Sequence, residues 1–193
     1  MNINSVVSIC VLCVSILISP ALLADMSLKK DVSQVNFISV KNEHIAEVHS
    51  FDEFSGTLSD EGNLKIEINL VSVNTLIPIR NERMQKMLFD VSTFAVATFV
   101  ANINKSIIEM PIGTSKTVDI VGQLTIKGKT NDLSFSVSIT SLADGQVSAT
   151  TVKPTLINVS QFGLDDGIDA LQKIAMLKSI SKSVPLTFNV IFQ

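Results

Sequence analysis

From residue 25 onward the hydrophobic pattern repeats every second residue, and no other feature restricts the fold as tightly. Leu64, Ile66, Ile68 and Leu70 alternate with Lys65, Glu67 and Asn69. Leu133, Phe135, Val137 and Ile139 alternate with Ser134, Ser136, Ser138 and Thr140. Leu186, Phe188, Val190 and Phe192 alternate with Thr187, Asn189 and Ile191. Successive side chains of a strand point to opposite faces, so each run reads as a half-buried strand. Residues 35–40, 45–58, 94–103, 106–112, 117–127 and 146–159 read as further strands, which makes about eight in a meander. Asp144-Gly145 carries the residue types of a tight hairpin, and 60–63 and Gly128-Lys129 mark two more turns. Helical crossovers are missing, which argues against parallel βαβ architecture. The expectation is an all-β antiparallel barrel, and with no linker, repeat or low-complexity tract it forms one domain over 25–193.

The rhythm breaks twice. Residues 80–91, from Arg80 through Met84, Leu88 and Phe89 to Val91, have helical spacing between one strand and the next. A second helix is expected to open at Asp165-Asp166, whose carboxylates suit a helix N-terminus. Its apolar stripe runs through Ile168, Leu171, Ile174, Ala175, Met176 and Leu177, with Lys178 near the end. Both segments read as short helices capping the barrel.

The first residues read as a targeting segment. Residues 6–23 are apolar and Ala24 precedes Asp25, as in a secretory signal peptide cleaved after residue 24. Against that pattern, no Lys or Arg precedes the run and Leu22 is bulky for its place. The alternative is an uncleaved anchor. Both cysteines, Cys10 and Cys13, lie inside this segment, so the mature chain has no disulfide or thiolate metal site. Ile9 and Leu12, which precede them, argue against lipoprotein processing. A soluble exported protein is expected, in a bacterial periplasm.

Catalysis and nucleic-acid binding find little support. Net charge is −3 with both signs interspersed, and all ten aromatic residues are Phe, unlike a basic nucleic-acid surface. His44 and His49 are five apart, hence on opposite strand faces, and make no metal pair. Ordinary exposure trends place both at the surface. Asp165 and Asp166 lack a calcium loop of alternating oxygen ligands. No nucleophile elbow or phosphate loop is present, and Ser55 and Ser160 have no histidine partner in the sequence. The expectation is a protein that is not an enzyme, with no catalytic residue, metal or cofactor.

Several blocks, in order, resemble the YceI-like family of exported, lipocalin-like polyisoprenoid-binding proteins. They are Ser33-Gln34-Val35-Asn36-Phe37, Phe51-Asp52-Glu53-Phe54-Ser55-Gly56, Ser72-Val73-Asn74-Thr75, Arg80-Asn81-Glu82-Arg83-Met84, Leu88-Phe89-Asp90-Val91, Phe94-Ala95-Val96-Ala97-Thr98-Phe99, Gly122-Gln123-Leu124-Thr125-Ile126-Lys127-Gly128 and Gln161-Phe162-Gly163-Leu164. Asn81 and Arg83 stand where the family has Asp and His, and Ala95 where Pro is common, which weakens any case for proton chemistry there. The resemblance implies a lipocalin-like barrel whose apolar tunnel holds a long isoprenoid chain, of polyprenyl or quinone type. Each buried methylene contributes about 0.8 kcal/mol, enough over a few isoprene units to offset immobilisation.

On this reading Leu64, Ile66, Ile68, Leu70, Phe94, Phe99, Phe135, Val137, Phe188 and Val190 are expected to line the lumen. The alternative for each is packing at the barrel ends. Arg80 is the candidate for contact with a polar head at the mouth, or for a hydrogen bond pinning the insert. The expected partner is an isoprenoid or other long-chain amphiphile such as a fatty acid or amide, with transient membrane contact and no nucleic acid. A C2 homodimer is the default on base rates. The competing reading is a packed barrel acting through a protein partner in envelope stress or redox support. Periodicity alone does not separate a hollow barrel from a filled one.

Overall fold

The computed structural model describes residues 25–193; the signal segment expected over 1–24 lies outside the described residues. The sheet has twelve strands: β1 (Met26–Ser27), β2 (Gln34–Lys41), β3 (Ile45–Phe51), β4 (Phe54–Leu58), β5 (Asn63–Asn69), β6 (Val73–Asn74), β7 (Val96–Asn102), β8 (Ser115–Ile126), β9 (Lys129–Ser141), β10 (Val147–Thr151), β11 (Thr155–Asn158) and β12 (Ser183–Phe192). Several are halves of one bent strand. β3 and β4 are separated only by Asp52 and Glu53, and β5 and β6 only by residues 70–72. β10 and β11, separated by residues 152–154, both pair with β12; with these three pairs joined and the two-residue β1 left out, eight long strands remain, as the alternation predicts.

Every neighbouring pair is antiparallel, and the order closes on itself. β5 pairs with β7, β7 with β8, β8 with β9, β9 with β10, β10 with β12 and β12 with β2. β2 then pairs with β3, while β4, the continuation of β3, returns to β5. β1 fills the gap between β4 and β12: Met26 pairs with Leu58, and Leu28 bridges Phe192. The two bends are tied together, since Asp52 N–H donates to Ser72 O at 3.1 Å and Glu53 N–H to Ser72 Oγ at 2.9 Å.

The meander puts alternate connections at opposite ends. One end carries the turns at 59–62, 103–114 and 142–146. Residues 106–112, expected as a strand, instead hold a short helix, α2 (Lys105–Ile108). Asn104 caps it by accepting from Ser106 N–H at 2.9 Å, a local bond that competes with extended structure. Ile107 and Ile108 pack into the lower core beside Ile103. The β8–β9 turn is Lys127–Gly128, one residue before the expected position, and both residues have positive φ as a two-residue hairpin demands.

The other end carries the two larger covers. The insert is α1 (Pro78–Arg83), starting two residues ahead of Arg80 with Pro in its first turn, followed by a wide helical turn over Met84–Phe89. Asp90, at φ 52, stops it. Met84, Leu88 and Phe89 are buried beneath it. The second cover is α3 (Asp165–Ile174), which ends earlier than its apolar stripe suggests: Met176 turns left-handed at φ 53 and points to solvent. The covers touch backbone to backbone at Gly167. A Cβ there would lie 2.7 Å from Leu88 Cα and from Met87 O, so only glycine fits.

Candidate functional site

The barrel is filled at one end and open at the other. In the half that ends at α2, Phe99 and Phe135 meet edge to face at 5.3 Å, and Phe135 meets Phe188 the same way. Val35, Phe54, Leu58, Val190 and Phe192 form a second packed group beside them. Under the covers lies a cavity of about 410 Å³, within the size range of small-molecule sites. Phe37, Phe51 and Phe89 meet near its base, with ring centroids 5.3 and 6.2 Å apart. The insert lines it with Ile77, Ile79, Arg80, Arg83, Met84 and Leu88, and α3 with Ile168, Leu171 and Ile174. Ile126, Ile157, Val159, Leu164, Ala175, Leu177, Ile180, Val184 and Leu186 complete an apolar wall.

None of the ten residues expected to line the lumen borders this cavity, whereas Arg80 does. Leu64, Ile66, Phe188 and Val190 pack around Val35 and Phe54, and Phe99 and Phe135 belong to the aromatic layer with Val137 packed beside them. Ile68 and Leu70 belong to the core below the insert. Phe94 sits outside β7 against the hairpin turn, where a Cβ on Gly128 would be 3.2 Å from its ring. The reason is geometric: period two tells which face of a strand is inward, not which stretch of that face meets packing and which meets space.

A polar stripe runs down one wall of this apolar space. It follows the β2–β3 ladder, where Phe37 faces His49 and Ser39 faces Glu47. The exposure expected for His49 is overturned: it is 4% exposed. Its ring stacks obliquely on Phe37 at 5.1 Å, and its Nε2 shares a 2.8 Å hydrogen bond with Ser39 Oγ. Its parity with Phe51, two residues on, is the sequence signal that would have placed it inward. His44, in the hairpin turn before β3, is exposed as expected.

Glu47 holds two cations on one oxygen, with Lys41 Nζ and Arg80 Nη1 each 2.8 Å from Oε2. Hydrogen bonding from Lys41, with the nearby Arg80 charge, holds the Glu47 carboxyl below its ordinary pKa despite partial burial. Arg80 Nη2 also donates to Thr75 O at 2.6 Å, so this arginine ties the insert to β3 through Glu47 and to the chain just after β6 through Thr75. Two side-chain atoms on the stripe have no partner among the described residues, His49 Nδ1 and Arg80 Nε. Arg83 lines the cavity with no ion pair among the described residues.

Burial, reinforced by the Arg80 charge, pushes the His49 pKa below its ordinary value, with Glu47 opposing. The sign follows from linkage. The unfolded chain takes up this proton near pH 6.5, and the folded chain resists it to lower pH. The stabilisation is therefore complete above about pH 6.5 and is lost as pH falls through the folded-state value. Urea midpoints should drop between pH 7 and 5 in the wild type and drop less in His49→Phe. An equal slope in both would place the responsible proton elsewhere.

The family model for the YceI-like domain matches residues 27–192. A polyisoprenoid-binding domain from Saccharophagus degradans, implicated in plant cell wall breakdown, has a similar structure. It is 31% identical with a TM-score of 0.84, over 87% of this chain and 97% of that one. Burkholderia cenocepacia BcnA matches at 22% identity and a TM-score of 0.65, over 85% and 98%. The Campylobacter jejuni YceI protein matches at 19% identity and 0.52, over 74% and 82%. Among curated proteins no match is found. With a family match over nearly the whole described chain, this protein belongs to the YceI-like family.

Proposed function

We propose that the chain is an exported, periplasmic carrier that holds a long-chain isoprenoid lipid by its apolar tail and performs no catalysis. The observation that carries this reading is the 410 Å³ cavity under the two covers, walled mostly by Leu, Ile, Val, Phe and Met beside the polar stripe. Such a space rewards an apolar chain that water rejects, at about 25 cal/mol per Å² buried. The Saccharophagus relative is described as polyisoprenoid-binding, which favours an isoprenoid over a straight fatty chain. A cavity of this size counts against the packed barrel that would act only through a protein partner.

The same reading supplies an entry route. Leu76 is 85% exposed on one bank of the opening, at φ 62, and Met176 is 92% exposed on the other. Ile77, Ile79 and Ile174 are exposed yet also line the cavity. Arg83 and Lys173 lie on the same covers, and Lys178 just past α3, without ion pairs among the described residues. An apolar rim with free cations suits brief contact with an anionic bilayer.

Native protein, purified from its own host and extracted with organic solvent, should yield about one prenyl lipid per chain by mass spectrometry. Fatty acids alone would move the assignment to another amphiphile. Repeatedly empty extracts would sink the carrier reading.

A further inference from the structure

We propose that the aromatic layer is a chain-length stop: Phe99, Phe135 and Phe188 close the barrel beneath the cavity, so the site takes in the end of an isoprenoid chain to a depth of about three units and no further. The inference rests on the carrier reading and sets how much of the tail the protein holds.

The cavity ends at one level on three neighbouring strands. On β12 it is lined by Val184 and Leu186 and not by Phe188, the next residue on that face. On β2 it is lined by Phe37 and not by Val35. Along the bent strand made of β3 and β4 it is lined by Phe51 and not by Phe54. The ladder sets two of these steps side by side, since Leu186 pairs with Phe37 and Phe188 with Val35. Below that level there is packing: Val35 and Phe54 are buried, with Phe188 and Phe51 against them.

The layer is held from several sides. Phe135 stands between the other two rings, 5.3 Å from each and steeply tilted, at 84° to Phe99 and 71° to Phe188. The three rings come from β7, β9 and β12, so they reach across the barrel instead of lying along one strand. Phe99 is seated over Gly122 of β8, where a Cβ would strike both its ring and Val100 O. A glycine inside a strand weakens it and marks a close approach, and here the approaching group includes the ring of the stop. A chain passing this level has to turn Phe188 aside, and with it the rings packed behind, in an interior of interlocked side chains.

Volume sets the depth. At about 30 Å³ for a group the size of a water, a cavity of 410 Å³ holds about fourteen carbons, close to three isoprene units. The units of a longer chain stay outside, at the rim marked by Leu76 and Met176.

The test is titration calorimetry of the purified protein with geranyl, farnesyl and geranylgeranyl phosphate, which share a head group and differ by one isoprene unit at each step. In the wild type the step from geranyl to farnesyl is expected to tighten binding by about tenfold or more, because the added unit is buried. Geranylgeranyl phosphate should then bind within about threefold of farnesyl phosphate. In Phe188→Ala the second step should grow to about tenfold while the first is unchanged. Phe188→Leu keeps an apolar side chain there, guards against misfolding and should move the second step in the same direction. A wild-type second step as large as the first means that the chain passes the layer, and overturns the stop. A plateau that neither Phe188 variant relieves overturns its assignment to the rings, and equal binding of geranyl and farnesyl phosphate overturns the depth. All three results leave the carrier intact. If no probe binds, the carrier reading falls and takes the stop with it.

Discussion

Phe162→Ala is expected to lower the unfolding free energy by about 3–5 kcal/mol. Phe162 ends the turn between β11 and α3 and is 2% exposed. It sits in the core that gathers Leu88 and Phe89 from the insert, Leu124 from β8 and Leu164 and Ile168 from α3. The ring therefore joins both covers to the barrel wall. It does not border the ligand cavity, so the packing around it is complete and its loss leaves new void. For a domain of this length each kcal/mol moves the melting temperature by about 2–4 °C, which predicts a fall of about 6–20 °C in calorimetry. Leu156→Ala, an exposed apolar residue on β11, should change stability by no more than about 0.5 kcal/mol. A loss below about 1 kcal/mol at Phe162 would show that the covers are not coupled to the barrel through this ring.

The parts of the fold that were readable in advance are those where one period governs a long segment. β9 alternates over thirteen residues, and its buried Phe135, Val137 and Ile139 follow the alternation without a break. Local chemistry overrode the pattern where the run was short. Ser106 to Ile108 has strand-like residues, but the Asn104 cap and the closing of the barrel end made it a helix. The site was less legible, for two physical reasons. Parity places Leu64 and Phe135 inward, yet the aromatic layer of Phe99, Phe135 and Phe188 fills that half of the barrel. The cavity instead depends on where the insert and α3 arch over the strands, a tertiary fact with no counterpart in period two. Ordinary exposure trends misplace His49 because they ignore its parity within the strand. A histidine two residues from an inward Phe51 shares its face, whatever its average exposure.

Asn81 shows how one residue of the insert sets the state of the whole site. Its Oδ1 accepts from Thr75 N–H at 2.9 Å and also from the Thr75 hydroxyl. Thr75 is buried, and its carbonyl accepts from Arg80, so α1 holds the strand end through three bonds. In Asn81→Leu the Thr75 N–H has no acceptor left. Its hydroxyl can turn only to Ile77 O, already 3.4 Å away. An orphaned buried donor costs about 1–3 kcal/mol. The loss falls on the insert first, because α1 and the turn after it form a cover rather than part of the closed ladder. Local opening should rise about tenfold for each 1.4 kcal/mol lost, read as faster amide exchange over residues 78–91 with the β8–β9 ladder unchanged. Asn81→Asp keeps the acceptor beside Arg80 and should exchange like the wild type. Since Ile77, Ile79, Arg80, Arg83 and Met84 all border the cavity, the leucine variant should also release bound lipid faster. If exchange instead rises equally in insert and ladder, the insert opens only with the barrel, and ligand release must then use the gap beside α3.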